Sequence, residues 1–361
     1  MRRKSVYRKA IHNEYERAKT IPLQKIEHAG SEIFLLRTDL LEAGIKSAIG
    51  TCLAVHYIES NNINANTKAL VVHGSGNTVT AVQLAVQETG TNVGIVAVVY
   101  AETSPQVVER LRKKGIEVVP LAPRSSGREN RQQTAEQYCT ERSGYVLLEQ
   151  HEQPLIIAIQ RDTFGRRIAS EIPDATHLVA GVGTGGTLFG IGAALRRTNP
   201  HLHVTAVEGV GSTLTLWHTY LKVAEQNFAH QEQALRHALS RYEGASMVTS
   251  ISSNPDAPHD EWFEIDIDFP EHVTGTVGIE GLGVGHPTEL IMSKLPTLND
   301  VHIVTDRAAQ EGTAALAAYD IRAVESAGAN FFAAMQLAEH LRTRGLKGRI
   351  VTVVTASSDP R

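Results

Sequence analysis

Apolar and polar positions alternate along this chain with two periods, and the places where the period changes mark its elements. From residue 68, short unbroken apolar runs are followed by longer amphipathic ones. Lys68 to His73, Gly94 to Tyr100, Gly115 to Leu121 and Tyr145 to Leu148 read as strands. Val79 to Glu88, Pro105 to Lys114 and residues 130 to 142 read as the helices between them. A run such as Leu70-Val71-Val72 has no polar face, so both of its faces must be covered, as in a parallel sheet with helices on each side. Upstream, residues 5 to 18 form a polar helix, Pro22 turns the chain into an extended segment, Glu32 to Arg37 is a short strand, and a turn from Leu40 leads into a helix reaching about Glu59. Downstream come an amphipathic helix over 155 to 172, a strand entering a glycine loop at 181, and the strand Val204 to Glu208. The rhythm then stops: residues 209 to 272, with Trp217, Trp262 and the turn-rich Ser252 to Pro258, read as an excursion that is helical to about Tyr242 and irregular afterwards. It resumes with strand Val301 to Val304, helix Asp306 to Asp320, helix Ala329 to Arg344 and strand Ile350 to Thr355. The fold class is α/β, with repeated strand-helix units.

Size and composition narrow the class. At 361 residues the chain exceeds a usual single core, so two domains are expected. Its 35 basic and 39 acidic residues nearly cancel, which leaves no electrostatic footprint for nucleic acid. No run of 18 apolar residues occurs, so no membrane partner is expected; the basic Met1-Arg2-Arg3-Lys4 is followed by no apolar segment of signal length, and a cytoplasmic location is the expectation. Cys52 and Cys139 cannot make a disulfide framework or hold a metal by themselves, and read as small buried hydrophobes. The five histidines between 209 and 272 lack ligand spacing, so no metal site is expected.

The candidate chemistry lies at strand ends. Gly181-Val182-Gly183-Thr184-Gly185-Gly186-Thr187 joins a strand to a helix, and its glycines bare backbone N–H groups beside the positive end of the helix dipole. That suits a phosphate, although strand-to-helix turns also use glycine merely for packing. No Lys-Ser or Lys-Thr pair follows, which disfavours a nucleotide P-loop, and the mid-chain position weakens a dinucleotide site even though Glu208 ends the next strand. A second loop, Gly74-Ser75-Gly76-Asn77-Thr78, also opens a helix, and both loops lie where parallel sheets bind ligands. Lys46 stands at a helix start, where a cation is disfavoured. It is either a solvated lysine tolerating a small cost or an amine wanted in its neutral, nucleophilic form.

Lys46, Ser75-Gly76-Asn77-Thr78 and Gly181 to Thr187, in that order, resemble the fold-type II pyridoxal-phosphate enzymes, the tryptophan synthase β-like group, with cysteine synthase and cystathionine β-synthase nearest. The resemblance covers most of residues 20 to 208 and 279 to 356. It implies two domains, each with a mostly parallel sheet covered by helices, and pyridoxal 5'-phosphate in the cleft between them. Residues 41–152 would be the smaller, mobile domain, and 1–40 with 153–361 the larger. It further implies that Lys46 bonds covalently to the cofactor, that Asn77 meets its ring hydroxyl, and that Gly181, Gly183, Thr184, Gly185, Gly186 and Thr187 cradle its phosphate. Ser75, Gly76, Asn77, Thr78 and Gln150 would hold the substrate carboxylate, with Gly281 lining the site. Ser326 would face the pyridine nitrogen, although Thr355 occupies the place that dehydratases and tryptophan synthase use.

The chain departs from the family pattern in three places. Ser47-Ala48 follow the lysine where Asp or Arg is usual, Gly74 stands where threonine is common, and the excursion at 209–272 is longer than in cysteine synthases. The implied activity is β-replacement on an activated serine-type amino acid, through an aminoacrylate, with a small nucleophile as second substrate and a homodimer as the assembly. β-Elimination of the dehydratase or ammonia-lyase type is the alternative. Of the carboxylate metal site such enzymes carry after this strand, Glu208 remains, followed by Ser212 and Leu214. A catalytically silent binding protein is the third reading, against which Lys46 and Asn77 count.

Overall fold

The computed structural model describes residues 5–74, 76–101, 103–121, 127–241, 246–254, 257–268, 279, 282 and 287–356. Its strands are β1 (Leu23–His28), β2 (Ser31–Arg37), β3 (Ala69–His73), β4 (Gly94–Val99), β5 (Glu117–Pro120), β6 (Tyr145–Leu147), β7 (His177–Gly181), β8 (His203–Gly209), β9 (Ser246–Asn254), β10 (Ala257–Asp268), β11 (Asp300–Val304) and β12 (Arg349–Val354). Ten of them form two sheets. The smaller runs β5-β4-β3-β6 and is parallel throughout. The larger runs β1-β2-β12-β7-β8-β11 and is parallel except for its edge hairpin, β1 with β2. That hairpin closes through Ala29 (φ 48°) and Gly30 (φ 78°), the pair of left-handed residues that a two-residue turn needs to match strand twist.

The helix Lys46–Glu59 is buried continuously from Ser47 to Val55, because Ala48, Ile49, Cys52, Leu53 and Ala54 leave it no polar face. It packs on the helix Asn77–Thr89, and Gly50 makes the approach possible: a Cβ there would lie 2.3 Å from that of Ala81. The amphipathic stretch 155 to 172 is helical as expected but contains a π turn over Arg161–Gly165. Opposite it, a Cβ on Gly190 would meet Gln160 Cβ at 2.5 Å, so that glycine serves helix packing and not ligand binding.

The excursion differs from the sequence reading in its second half. Helices Leu214–Val223 and Phe228–Leu239 agree with it, and they bury Leu216, Leu235, Ala238 and Leu239 against Ile303. After them the backbone is not irregular; β9 and β10 form an antiparallel ladder with a register shift between Ala257 and Glu261. Phe263 to Asp268 alternates apolar and polar, the period-two pattern of a strand, whereas the proline and asparagine content of 252 to 258 points to irregular backbone. Cys52 is buried, whereas Cys139 is only half-buried; both are free thiols.

Candidate active site

Lys46 is the first residue of its helix, reached through a turn in which Gly44 has φ +54°. A Cβ on Gly44 would lie 2.8 Å from that of Ala356, just past β12, so this turn is pressed against the end of the larger sheet. Buried Gln160 donates to the carbonyl of Ile45 at 2.8 Å and fixes the backbone immediately before the lysine. From there Lys46 Nζ donates to Thr184 Oγ1 at 3.4 Å. Two motifs 138 residues apart in the chain thus meet at one point.

Thr184 belongs to the loop after β7. Gly185 there has φ +83°, and the helix it begins, Gly186–Thr198, makes its first backbone bond from Phe189 to the Gly185 carbonyl at 3.0 Å. The amides of Gly186, Thr187 and Leu188 therefore point out of the helix end towards the loop. A Cβ at Gly181 would come within 2.0 Å of Leu282 Cδ2, so that side chain would have to move, and one at Gly186 would sit tightly, 3.2 Å from Ile156. Gly183 is part of the same turn and is half-buried. A helix end with bare amides and two hydroxyls, Thr184 and Thr187, accepts a phosphate, and an amine beside it accepts a carbonyl carbon.

On the smaller sheet, Gly76 caps the helix Asn77–Thr89. Thr78 Oγ1 donates to Gln150 Oε1 at 3.0 Å, and Gln150 Nε2 donates to the His73 carbonyl at 3.4 Å, so the two elements converge. Asn77 Nδ2 donates to the Ala356 carbonyl at 3.1 Å, tying this loop to the larger sheet. A Cβ on Gly74 would meet nothing closer than Gln150 Nε2 at 3.7 Å, so packing does not require glycine there. Ser75 and Gly281 lie outside the described residues.

Ser326 and Thr355 stand together in three dimensions. Their hydroxyls share a hydrogen bond of 2.7 Å, with Ser326 in the first turn of the helix Glu325–Thr343 and Thr355 just past β12. Glu208 is fully buried at the end of β8, and its carboxylate accepts from the backbone amides of Leu214 and Thr215, each at 3.0 Å, and from Thr215 Oγ1. It caps a helix.

Two clusters had no signal at the level of sequence because their members are far apart in the chain. Ser47, in the position where the family has a charged residue, donates to Glu14 Oε2 of the N-terminal helix at 3.2 Å. Burial pushes the Glu14 carboxyl above its usual range against the opposing pull of Arg17. The second cluster is His73, Glu149 and His151 at the carboxyl ends of β3 and β6. Burial works to raise the Glu149 carboxyl, but His73 and the backbone amides of His151 and Glu152 outweigh it and hold the group below its usual range.

A lysine amine facing a glycine-lined helix end, at the carboxyl edge of parallel strands, defines an α/β protein built around a small phosphorylated carbonyl compound. The chain belongs to the family of pyridoxal-phosphate dependent enzymes, whose model matches residues 12–249, and pyridoxal phosphate is its cofactor. Among curated relatives it is 28% identical over 157 residues to an L-threonine ammonia-lyase of Geobacter sulfurreducens, covering 43% of this chain and 37% of the relative. It is 32% identical over 89 residues to a cysteine synthase of a Flavobacterium species, covering 24% and 29% respectively. The matched segments thus span less than half of these relatives' own length. The fold is shared nearly end to end with the O-acetylserine dependent cystathionine beta-synthase of Helicobacter pylori, at a TM-score of 0.71 and 20% identity, covering 96% of this chain and 95% of that one. Among the described residues no helix is long and apolar enough to cross a membrane.

Proposed function

We propose that the protein catalyses β-replacement on an O-activated serine-type amino acid, exchanging the β-substituent for a small nucleophile. Bound pyridoxal phosphate supplies an electron sink for the charge that develops at the substrate Cα. The chain supplies the rest. Lys46 would carry the covalent link and would hold or return the Cα proton; its Nζ stands 3.4 Å from Thr184 Oγ1. The amides of Gly186 and Thr187, with the Gly181 to Gly185 turn and the two threonine hydroxyls, take the phosphate. Thr78 and Gln150, with Gly76 and Asn77, would take the substrate carboxylate. The Ser326–Thr355 hydroxyl pair would face the ring nitrogen; it is neutral and would not hold ring charge as a carboxylate would, which favours prompt loss of the β-group. Residues 41–152 would close over the substrate as a unit, and the excursion at 209–272, which leaves the carboxyl end of β8 beside the site, would select it.

Glu208 is the observation that favours replacement over elimination. Its carboxylate is occupied as a helix cap, with Leu214 supplying one of the amides, so among the described residues after β8 it is not free to serve as a metal ligand. The fold shared with an O-acetylserine dependent enzyme supports the same choice, while the local identity to an ammonia-lyase supports elimination. A cytoplasmic homodimer belongs to the proposal, and the free thiols Cys52 and Cys139 suit a reducing compartment. The test is to incubate holoenzyme with O-acetyl-, O-phospho- and unmodified serine, threonine and homoserine, with and without a thiol, and identify products by mass spectrometry. A thioether amino acid formed only with the thiol and an O-activated donor is expected, and Lys46→Ala should abolish both it and borohydride trapping of the cofactor. Release of ammonia and a keto acid at the same rate with or without the thiol would overturn the reading in favour of elimination.

A further inference from the structure

His73 ends β3, and the β3–β6 register, Val71 opposite Leu147, carries forward so that His73 stands beside Glu149. Gln150 then turns towards Thr78 and His151 turns back. His73 Nε2 lies 3.4 Å from Glu149 Oε2 and 3.2 Å from His151 Nδ1, and His151 Nδ1 lies 3.7 Å from Glu149 Oε1. We propose that these three side chains form a Zn2+ site with one open coordination position.

The spacing carries the argument. Ligand atoms held about 2.0–2.1 Å from a tetrahedral ion sit about 3.3–3.4 Å from one another; His73 Nε2 meets that spacing both to Glu149 Oε2 and to His151 Nδ1, while His151 Nδ1, 3.7 Å from Oε1, would draw towards Oε2 on the ion. A cluster of two imidazoles and one carboxylate is the donor set that zinc shares with an exchangeable water. The nitrogens of His73 and His151 are 3.2 Å apart and their ring centroids 4.3 Å, with planes tilted by 32°, so the two rings lie partly stacked and share a hydrogen bond that a bound ion would replace, the rings turning apart to present both nitrogens to it. The carboxylate is already oriented, because Glu149 Oε1 accepts from the backbone amides of His151 and Glu152 and leaves Oε2 towards His73, the outer support that metal ligands need. The imidazoles are buried, His73 fully, while the Glu149 side chain keeps 21% of its surface exposed and gives an ion a way in.

The consequence for catalysis rests on Thr78 and Gln150 holding the substrate carboxylate, as proposed above. The ion would clamp the backbone on both sides of Gln150 to the end of β3, from which the carboxylate loop departs. His73, Glu149 and His151 are then positioning residues.

The test uses holoenzyme dialysed against a chelator and titrated with Co2+ alone in the absence of substrate. One Co2+ per chain, with the intense visible ligand-field bands of a tetrahedral ion, displaced by stoichiometric Zn2+, is expected. His151→Ala and Glu149→Gln should each weaken Co2+ binding by about a hundredfold or more, since loss of even an outer partner costs up to about that much. Glu149→Gln keeps an acceptor for the two backbone amides, so it separates the ion from the fold. No saturable binding by the wild-type holoenzyme, or binding that both variants leave unchanged, would overturn the site. Removing the ion should raise KM for the amino-acid substrate more than it lowers kcat, and an unchanged KM would overturn the positioning role alone. Because Co2+ binding is read without substrate, a chain that binds the ion but performs no β-replacement keeps the site and rejects the earlier reading, and the converse result does the opposite.

Discussion

Gly185→Ala tests whether the glycine loop is a cofactor cradle whose shape depends on a left-handed backbone. Two costs act at that position. Placing a Cβ at φ +83° costs about 1–2 kcal/mol. The same Cβ would lie 2.8 Å from Phe189 Cδ2 and 2.9 Å from Cε2, with Ile291 behind at 3.4 Å, and crowding a filled core in this way costs about 1–3 kcal/mol. Phe189 is only 6% exposed and cannot swing into solvent, so a combined loss of about 2–5 kcal/mol is expected. Gly30→Ala is the control: it has φ +78°, but nothing lies within 4 Å of its Cβ, so it carries the backbone cost alone, about 1–2 kcal/mol. Urea unfolding of both variants without cofactor reads stability, and titration with pyridoxal phosphate reads the cradle. Relief of the clash moves the amides of Gly186 and Thr187, and losing one hydrogen bond to an anion, about 1.5–3 kcal/mol, raises the cofactor Kd about ten- to a hundredfold. Gly30→Ala should leave that Kd unchanged. Equal destabilisation in the two variants, or wild-type cofactor affinity in Gly185→Ala, would refute the reasoning.

Ser326→Asp and Thr355→Asp are each expected to shift the visible band of the holoenzyme, because their hydroxyls occupy one spot 2.7 Å apart; a shift in only one of them assigns the ring contact to that residue. Glu208→Ala strips the acceptor from two amides and a hydroxyl at a buried helix end and should cost about 2–4 kcal/mol by chemical unfolding, with no dependence of wild-type activity on Mg2+; a Mg2+ requirement that this substitution removes would restore the metal-site reading. On the larger sheet His177 pairs with His203, and burial followed by the charge of that neighbour brings its pKa down from 6.5 to about 4. The folded state refuses a proton that the unfolded chain accepts, so stability should fall as pH drops from about 6.5 to 4 and level off below. His177→Gln should flatten that part of the pH profile, and an unchanged slope would show that other groups cause the acid loss.

The strand-helix rhythm, the two glycine loops and Lys46 were legible in the sequence because each depends on residues close together in the chain. Strand burial shows in apolar runs such as Leu70-Val71-Val72, and a bare helix end shows in glycines that precede apolar helix positions. Family resemblance then supplied candidate roles for Asn77, Gln150 and Ser326, whose chemistry no local pattern reveals. Only the tertiary structure brought Lys46 to Thr184, Ser326 to Thr355, Ser47 to Glu14 and His73 to Glu149 and His151. Those contacts close loops of 138, 29, 33 and 76 to 78 residues, and nothing in local propensity encodes which distant side chain will be met. Glycine shows the same division within a single residue type. Gly185 and Gly190 look alike as letters, yet one adopts a left-handed backbone at the loop and the other admits a crossing helix, because a missing Cβ permits both and the neighbours in space decide which is used.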